Sequence, residues 1–207
     1  MNKLVKSIEH LKHSNIQKKI RQRIQQFKNI DRTSNEDLFM ELCFCILTAN
    51  FSAKRAIHIH AKLHDCFYTD TKESLSKKLR EQGYRFPNIR AIFIKEACVF
   101  KDQLSEVIQN FDGDELRAWL VANIPGFGLK EASHYLRNIG YDKYAIIDSH
   151  ILDVLHRYRL IKKPTTLTAR KYKEIEQVIQ RLATRTGLTC AELDLYLWYM
   201  ETGTILK

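Results

Sequence analysis

The chain has 207 residues, of which 44% are hydrophobic, and it carries a formal net charge of +10. This apolar content is enough for a packed core, yet no run approaches the roughly 20 apolar residues that cross a membrane, and the start lacks the apolar stretch of a signal peptide. The basic balance favours a polyanionic partner, most often nucleic acid, although many proteins are basic without binding one.

Five cysteines are dispersed among apolar neighbours: Cys43, Cys45, Cys66, Cys98 and Cys190. The odd count and the dispersion predict reduced, buried thiols in a cytosolic protein. Cys43 and Cys45 lie two residues apart, which turns them to different faces of a helix. His60 and His64 share a face, but the sequence offers no third ligand, so we predict no metal site.

The first helical pattern covers residues 2–29. The step of five between Leu11 and Ile16, with Ser14 inside it, predicts a break and a new N-cap. Its second part carries five basic residues, which we interpret as a solvated face: Lys18, Lys19, Arg21, Arg23 and Lys28.

The next helix begins after Ser34, a good N-cap. It is apolar nearly all round from Leu42 to Leu47, which predicts a central, buried helix. Asn50 suits its C-cap. Farther along, Pro87 favours the first turn of a helix, which leaves Phe86 on the preceding loop. A loop aromatic beside a basic residue can stack on a nucleobase, and the alternative is a hydrophobic staple onto the following helix.

Residues 114–139 predict two helices joined by the hairpin Pro-Gly-Phe-Gly. Pro125 ends the first helix, while Gly126 and Gly128 permit backbone angles that are closed to other residues. Such a hairpin points several N–H groups outward at a helix N-terminus. That arrangement is an anion site suited to a nucleic-acid phosphate.

Two residues near the hairpin are suited to chemistry. Lys130 lies in the first turn of the second helix, where the helix dipole disfavours an ammonium and favours a nucleophilic neutral amine. Asp148 follows the apolar run Ala145–Ile147, and a helix plus a turn can bring it into one cleft with Lys130. The alternatives are a solvated lysine and an N-capping aspartate. Capping is compatible with chemistry, because a capping aspartate is held rigidly and stays ionised.

The C-terminal part continues in helices. Thr168 can cap one helix, and Thr189 with Glu192 forms a capping box for the last one, which carries Trp198. No strand, repeat or low-complexity segment is evident. The sequence therefore predicts an all-α fold.

Ile-Pro-Gly-Phe-Gly-Leu-Lys-Glu-Ala, followed by Ile-Ile-Asp-Ser-His, resembles the helix–hairpin–helix DNA glycosylases of the endonuclease III superfamily. Within that superfamily the chain is similar to the archaeal-type, or type 2, 8-oxoguanine glycosylase/lyases. Glu-Leu-Cys-Phe-Cys-Ile-Leu-Thr-Ala-Asn at 41–50, Leu-Asp-Leu-Tyr-Leu-Trp-Tyr at 193–199 and the terminal Lys207 carry this closer resemblance.

The resemblance implies two helical lobes with the active site in the cleft between them. Residues 31–140 form the lobe with the hairpin, and residues 1–30 with 141–207 form the other. Lys130 and Asp148 fall on the family's catalytic lysine and aspartate. The implied activity is excision of a flipped 8-oxoguanine through a lysine Schiff base, followed by strand nicking as an AP lyase.

The resemblance also assigns supporting roles. Asn50 matches a polar residue that superfamily members place near the gap left by a flipped nucleotide, a role that stands equal to the helix C-cap. The hairpin residues Gly126, Phe127 and Gly128 bind DNA phosphate, with a monovalent cation on the hairpin carbonyls. The terminal carboxylate of Lys207 recognises the base, while Phe86 and Trp198 supply stacking faces, although Trp198 suits a helix core equally well. Some superfamily members hold an iron–sulfur cluster with four C-terminal cysteines, and this chain has only Cys190 there. The expected partner is double-stranded DNA containing 8-oxoguanine or abasic sites, bound by a cytoplasmic, nucleoid-associated monomer.

Two other functions fit the same residues. One is a glycosylase of the superfamily that acts on oxidised pyrimidines, which the lysine does not exclude. The other is a non-catalytic helix–hairpin–helix DNA-binding module, which explains the charge and the hairpin but gives Lys130 and Asp148 no role. Strand nicking separates the module from both enzymes.

Overall fold

The structure is a computed structural model that describes all 207 residues. It contains thirteen α-helices, a 3-10 turn at Cys98–Phe100 and no strand, which confirms the predicted all-α class. None of the helices combines the length and the apolar character that crossing a bilayer requires. The helices are α1 (Asn2–Lys12), α2 (Asn15–Lys28), α3 (Asn35–Thr48), α4 (Ala53–Lys62), α5 (Cys66–Thr69), α6 (Lys72–Glu81), α7 (Pro87–Ala97), α8 (Leu104–Asn110), α9 (Gly113–Asn123), α10 (Leu129–Asn138), α11 (Ser149–Arg157), α12 (Ala169–Thr186) and α13 (Cys190–Thr202).

The chain divides into two compact units. Unit 1 comprises Met1–Asn29 and Leu136–Leu206, and unit 2 comprises Ile30–Tyr135 together with Lys207. The predicted boundary at 30/31 lies one residue from the observed one, whereas the predicted boundary at 140/141 lies five residues beyond it. Lys207, predicted to belong to the lobe that contains 141–207, instead groups with unit 2, because its side chain contacts Glu41. The observed boundary falls inside α10, where a continuous helix gives no turn or composition signal in the sequence.

Unit 1 is built on the packing of α2 against α13. Three apolar side chains of α2, Ile20, Ile24 and Phe27, meet an apolar cluster of α13: Ala191, Leu195 and Tyr196. The predicted break before α2 is confirmed, because α1 ends at Lys12 and the Ser14 hydroxyl accepts a hydrogen bond from the Ile16 amide at 3.2 Å. The capping box that starts α13 is also present.

Unit 2 surrounds α3. Every residue of this helix from Leu38 to Thr48 is buried, as the apolar run predicted, and α4, α7 and α8 pack against it. The Ser34 hydroxyl caps the helix by accepting a hydrogen bond from the Asp37 amide at 3.1 Å. Asn50 follows with a left-handed φ of +56°, a conformation that asparagine tolerates better than most residues.

Candidate active site

The hairpin between α9 and α10 is seated on an aromatic side chain of α7. Gly126 has a φ of +79°, and a Cβ added there would lie 2.5 Å from Cδ2 of Phe93. The turn closes through the Phe127 amide, which donates to the Ile124 carbonyl at 3.1 Å. Glycine is therefore required at position 126 both by the backbone angle and by the close approach to the Phe93 ring.

The three hairpin amides differ in their surroundings. The Phe127 amide is engaged in the turn, and the Gly128 amide donates to Oε2 of Glu131 at 3.2 Å. Gly126 is exposed, and its amide donates to no group of the protein. A carboxylate thus occupies part of the position where an anion was predicted to bind.

Lys130 is the second residue of α10, in its first turn, as predicted. Its side chain is 26% exposed, and its Nζ lies 3.1 Å from Oε1 of Glu131. The amine is therefore accessible and is held by a carboxylate of the adjacent residue. Lys130 belongs to unit 2, with the hairpin and Phe93.

Asp148 belongs to unit 1 and emerges from a buried segment, as its apolar neighbours predicted. Tyr172 fixes that segment, since its hydroxyl donates to the Ala145 carbonyl at 2.6 Å and accepts from the Ile147 amide at 3.2 Å. The Asp148 carboxylate caps α11 by accepting from the Ile151 amide at 2.9 Å. The aspartate is thus rigidly held and has a second carboxylate oxygen beyond the one in the cap.

A buried ion pair lies near Asp148 in unit 1. Arg137, at the C-terminal end of α10, contacts the carboxylate of Asp194 on α13, and its guanidinium lies 4.9 Å from the ring centre of Phe27. The pKa of Asp194 is raised from 3.8 to about 7, chiefly by burial; Arg137 opposes this rise, and the negative charge of Asp148 contributes to it. Arg137 stands seven residues after Lys130, and therefore on the same face of α10.

The C-terminal residue is held within unit 2. Lys207 Nζ contacts Oε1 of the buried Glu41 and lies 4.8 Å from the ring centre of Phe44. Oε2 of Glu41 is buried and accepts no hydrogen bond. Burial, followed by the charge of Lys207, lowers the pKa of His60 to about 4, so this histidine is neutral and its Nε2 faces the Met40 carbonyl at 2.9 Å.

The two aromatic residues predicted to stack on a base lie in different units. Phe86 is the N-cap residue of α7, partly exposed, and the Arg85 guanidinium lies 4.9 Å from its ring centre. Trp198 lies on α13 with its ring edge toward His150, at a centroid distance of 4.8 Å. The indole Nε1 of Trp198 is buried without a hydrogen-bond partner. The base-stacking roles of both residues stay predictions.

Sequence reasoning missed Glu131 beside Lys130 in unit 2, and the pair of Arg137 and Asp194 in unit 1. Glu131 has a visible signal, because glutamate at the third helical position is the acidic half of a capping box. Arg137 and Asp194 have none, since 57 residues separate them in the chain and only the fold pairs them. The five cysteines are all free thiols; Cys43, Cys45 and Cys190 are buried as predicted, whereas Cys66 and Cys98 are partly exposed, so the prediction was wrong for these two. No group of three or more potential metal ligands is present.

A sequence-family model described as 8-oxoguanine DNA glycosylase matches residues 20–188. The "8-oxoguanine DNA glycosylase/AP lyase" of Methanocaldococcus jannaschii is 47% identical over 206 residues, which cover 99% of each chain. The protein of the same name from Korarchaeum cryptofilum is 45% identical and covers 99% of this chain and 98% of its own.

Solved structures agree with this similarity. The crystal structure of the M. jannaschii 8-oxoguanine glycosylase/lyase in complex with 15mer DNA containing 8-oxoguanine matches with a TM-score of 0.95 and 47% identity, covering 99% of each chain. The 8-oxoguanine DNA glycosylase of Thermotoga maritima matches with a TM-score of 0.93 and 36% identity, covering 100% of this chain and 99% of its own. Because similarity of this degree extends over the whole chain, the protein belongs to the 8-oxoguanine DNA glycosylase family and has its helix–hairpin–helix fold.

Proposed function

We propose that this protein is a bifunctional DNA repair enzyme that excises 8-oxoguanine and then nicks the strand at the resulting abasic site. The observation that carries the proposal is the full-length match to the M. jannaschii glycosylase/lyase, whose structure contains 8-oxoguanine DNA. The position of Lys130 directly after the hairpin adds a chemical reason, since a lysine nucleophile makes a glycosylase also a lyase.

DNA binds first through the hairpin. The amides of Gly126 and Gly128 and the N-terminus of α10 face a backbone phosphate, which the helix dipole favours. The Phe127 amide was predicted to join them, but it already donates to the Ile124 carbonyl. The exposed amide of Gly126 is available at once, whereas the Gly128 amide becomes available when the phosphate replaces the Glu131 carboxylate. The enzyme must also extrude the damaged nucleotide, because a stacked base does not expose its sugar carbon to a nucleophile.

Lys130 and Asp148 then have different roles in the reaction. The Lys130 amine attacks C1′ of the sugar, the bond from C1′ to the base breaks, and the base leaves with the bonding electrons. The Asp148 carboxylate, fixed by its cap, stabilises the positive charge that develops at C1′. The C1′–O4′ bond then breaks and O4′ takes up a proton, which gives a Schiff base between C1′ and Lys130. Loss of a proton from C2′ drives β-elimination, in which the 3′ C–O bond breaks, the phosphate leaves and the strand is nicked.

Base recognition rests on one hydrogen atom. Guanine has an acceptor at N7, whereas 8-oxoguanine carries a hydrogen there and offers a donor. A carboxylate aimed at N7 separates the two, because guanine would leave that carboxylate buried and unpaired. We assign this role to the terminal carboxylate of Lys207, whose side chain is tied to Glu41. Phe86 and Trp198 supply the stacking faces.

A lesion panel tests the proposal. Duplexes carrying 8-oxoguanine, an oxidised pyrimidine or an abasic site are incubated with native protein, Lys130→Gln and, as a matched control, Lys173→Gln at an exposed position of α12. We expect excision of 8-oxoguanine and nicking by the native and control proteins, and neither by Lys130→Gln. Excision of the pyrimidine alone would move the substrate to the alternative glycosylase class, and binding without nicking would establish the non-catalytic module.

A further inference from the structure

Glu131 contacts two groups that the proposed reaction uses. Its Oε2 accepts the Gly128 amide at 3.2 Å, and its Oε1 lies 3.1 Å from Nζ of Lys130. The Glu131 side chain is 14% exposed, less than that of Lys130. One shielded carboxylate therefore spans the hairpin amide and the amine of the proposed nucleophile.

Helix capping explains only one of these two contacts. Gly128 stands just before α10, so Glu131 is the third helical residue and binds the capping amide as the acidic half of a capping box does. Gly128 has no side chain to complete the box. Side chains at adjacent positions of a helix do not normally face each other. The contact between Oε1 and Lys130 is thus an addition to the cap, made by the oxygen that the cap does not require.

An amine must lose a proton before its lone pair can attack a carbon atom. Lysine is an ammonium in its ordinary state at neutral pH, so the reaction requires an acceptor within hydrogen-bond reach of Nζ. Oε1 of Glu131 is at that distance from Nζ. Asp148 belongs to the other unit, where one of its carboxylate oxygens caps α11.

We propose that Glu131 is the proton acceptor that prepares Lys130 for attack, an inference that rests on Lys130 being the nucleophile of the proposed function. The proton passes from Nζ to Oε1, so that an ammonium and a carboxylate become a neutral amine and a carboxylic acid. The amine lone pair then forms the bond to C1′ as the bond from C1′ to the base breaks.

The hairpin contact links this transfer to DNA docking. A phosphate that arrives at the Gly128 amide brings a second negative charge beside Glu131. Like charges disfavour the ionised form of a carboxyl group, so the arriving phosphate favours protonated Glu131. The same charge also favours the ammonium of Lys130, so the link to docking is displacement: a phosphate that takes the Gly128 amide frees Oε2 of Glu131 from the helix cap.

The test uses two replacements of Glu131 and a small carboxylate. Glu131→Gln keeps an oxygen that can accept from the Gly128 amide but cannot take a proton. Glu131→Ala opens space for formate. Single-turnover nicking of an abasic-site duplex is measured for both variants and native protein, with and without formate, at ionic strength matched with chloride. Thermal unfolding measures whether each variant changes the stability of the fold. Affinity for a duplex with a tetrahydrofuran abasic analogue measures whether it changes DNA binding, so both effects are separated from the rate of nicking.

We expect both variants to nick roughly 10²-fold more slowly than native protein, the size typical of lost general acid–base catalysis. Formate should restore the rate of Glu131→Ala in proportion to its concentration and leave Glu131→Gln unchanged. Native rates in either variant would overturn the proposal. The proposal would also be overturned if Glu131→Ala nicks slowly, binds the analogue normally and is not rescued by formate. It would likewise be overturned if weaker DNA binding alone accounts for the slower nicking by Glu131→Ala.

Lys130→Gln in the same assay distinguishes the claim that Lys130 is the nucleophile from the claim that Glu131 accepts its proton. If Lys130→Gln nicks at the native rate, the proposed nucleophile is wrong. If Lys130→Gln is inactive while both Glu131 variants are fully active, the nucleophile stands and only the role of Glu131 is wrong.

Discussion

Replacing Gly126 with alanine tests the close packing of the hairpin against Phe93 of α7. A non-glycine residue in the left-handed region costs roughly 1–2 kcal/mol. The new Cβ would also lie 2.5 and 2.6 Å from two ring carbons of Phe93, and forcing extra atoms into a packed site costs roughly 1–3 kcal/mol. Together these effects predict a loss of about 3 kcal/mol, which for a chain of this size lowers Tm by roughly 6–12 °C.

Gly128→Ala is the matched control, two residues away in the same hairpin. Its backbone is not left-handed, and an added Cβ would meet only Oε2 of Glu131, at an ordinary contact distance of 3.5 Å. We therefore expect its stability to change by less than about 1 kcal/mol. Calorimetry of both variants gives the comparison directly.

Two further variants, Phe93→Ala and Phe93→Ala with Gly126→Ala, separate the cost of the backbone conformation from the cost of the clash with the ring. In a Phe93→Ala background the ring is absent, so Gly126→Ala should cost only the backbone part, about 1–2 kcal/mol. Equal Tm values for Gly126→Ala and Gly128→Ala would refute the whole argument. A cost for Gly126→Ala that is unchanged without the Phe93 ring would refute the steric part alone.

Three further predictions concern Asp148, Asp194 and the chain end. Asp148→Asn should keep the cap, since asparagine also accepts from the Ile151 amide. Its free energy of unfolding should therefore stay within about 1 kcal/mol of the native value, while excision activity is lost. Asp148→Ala should lose both the activity and roughly 1 kcal/mol of stability. Burial raises the pKa of Asp194 from 3.8 to about 7, so the native state binds this proton more tightly than the unfolded chain, and its stabilising effect is lost as pH rises from about 4 to about 7. Urea unfolding should therefore show that native protein loses stability relative to Asp194→Asn as pH rises over that range. If the difference in unfolding free energy between the two proteins does not change with pH, the assigned burial of Asp194 is wrong. Residues added after Lys207 should slow excision of 8-oxoguanine more than nicking of an abasic site; full excision by a C-terminally tagged protein would remove Lys207 from base recognition.

Local sequence signals predicted the helices and the elements that present the site. Ser14, Ser34, Thr168 and Thr189 each cap a helix, as expected. These features depend on residues within one turn of each other, which is why a single sequence reveals them. The buried course of α3 followed from an uninterrupted apolar run in the same way.

The missed features depend on contacts between distant residues. No local pattern marks Arg137 as the partner of Asp194, or Glu41 as the partner of Lys207, because the two members of each pair lie on elements far apart in the chain. The boundary inside α10 was missed for a related reason, since an unbroken helix hides it. Pairing of this kind becomes visible only when the helices are packed.

The central claim is that Lys130 is the nucleophile, and borohydride trapping followed by mass spectrometry tests it most directly. Native protein is incubated with a duplex containing one 8-oxoguanine, the Schiff base is reduced, and the adduct is digested and sequenced. The proposed mechanism predicts a reduced sugar remnant on Lys130 and no adduct with Lys130→Gln. A remnant on any other lysine or on the N-terminal amine, or an equal adduct with Lys130→Gln, would contradict it.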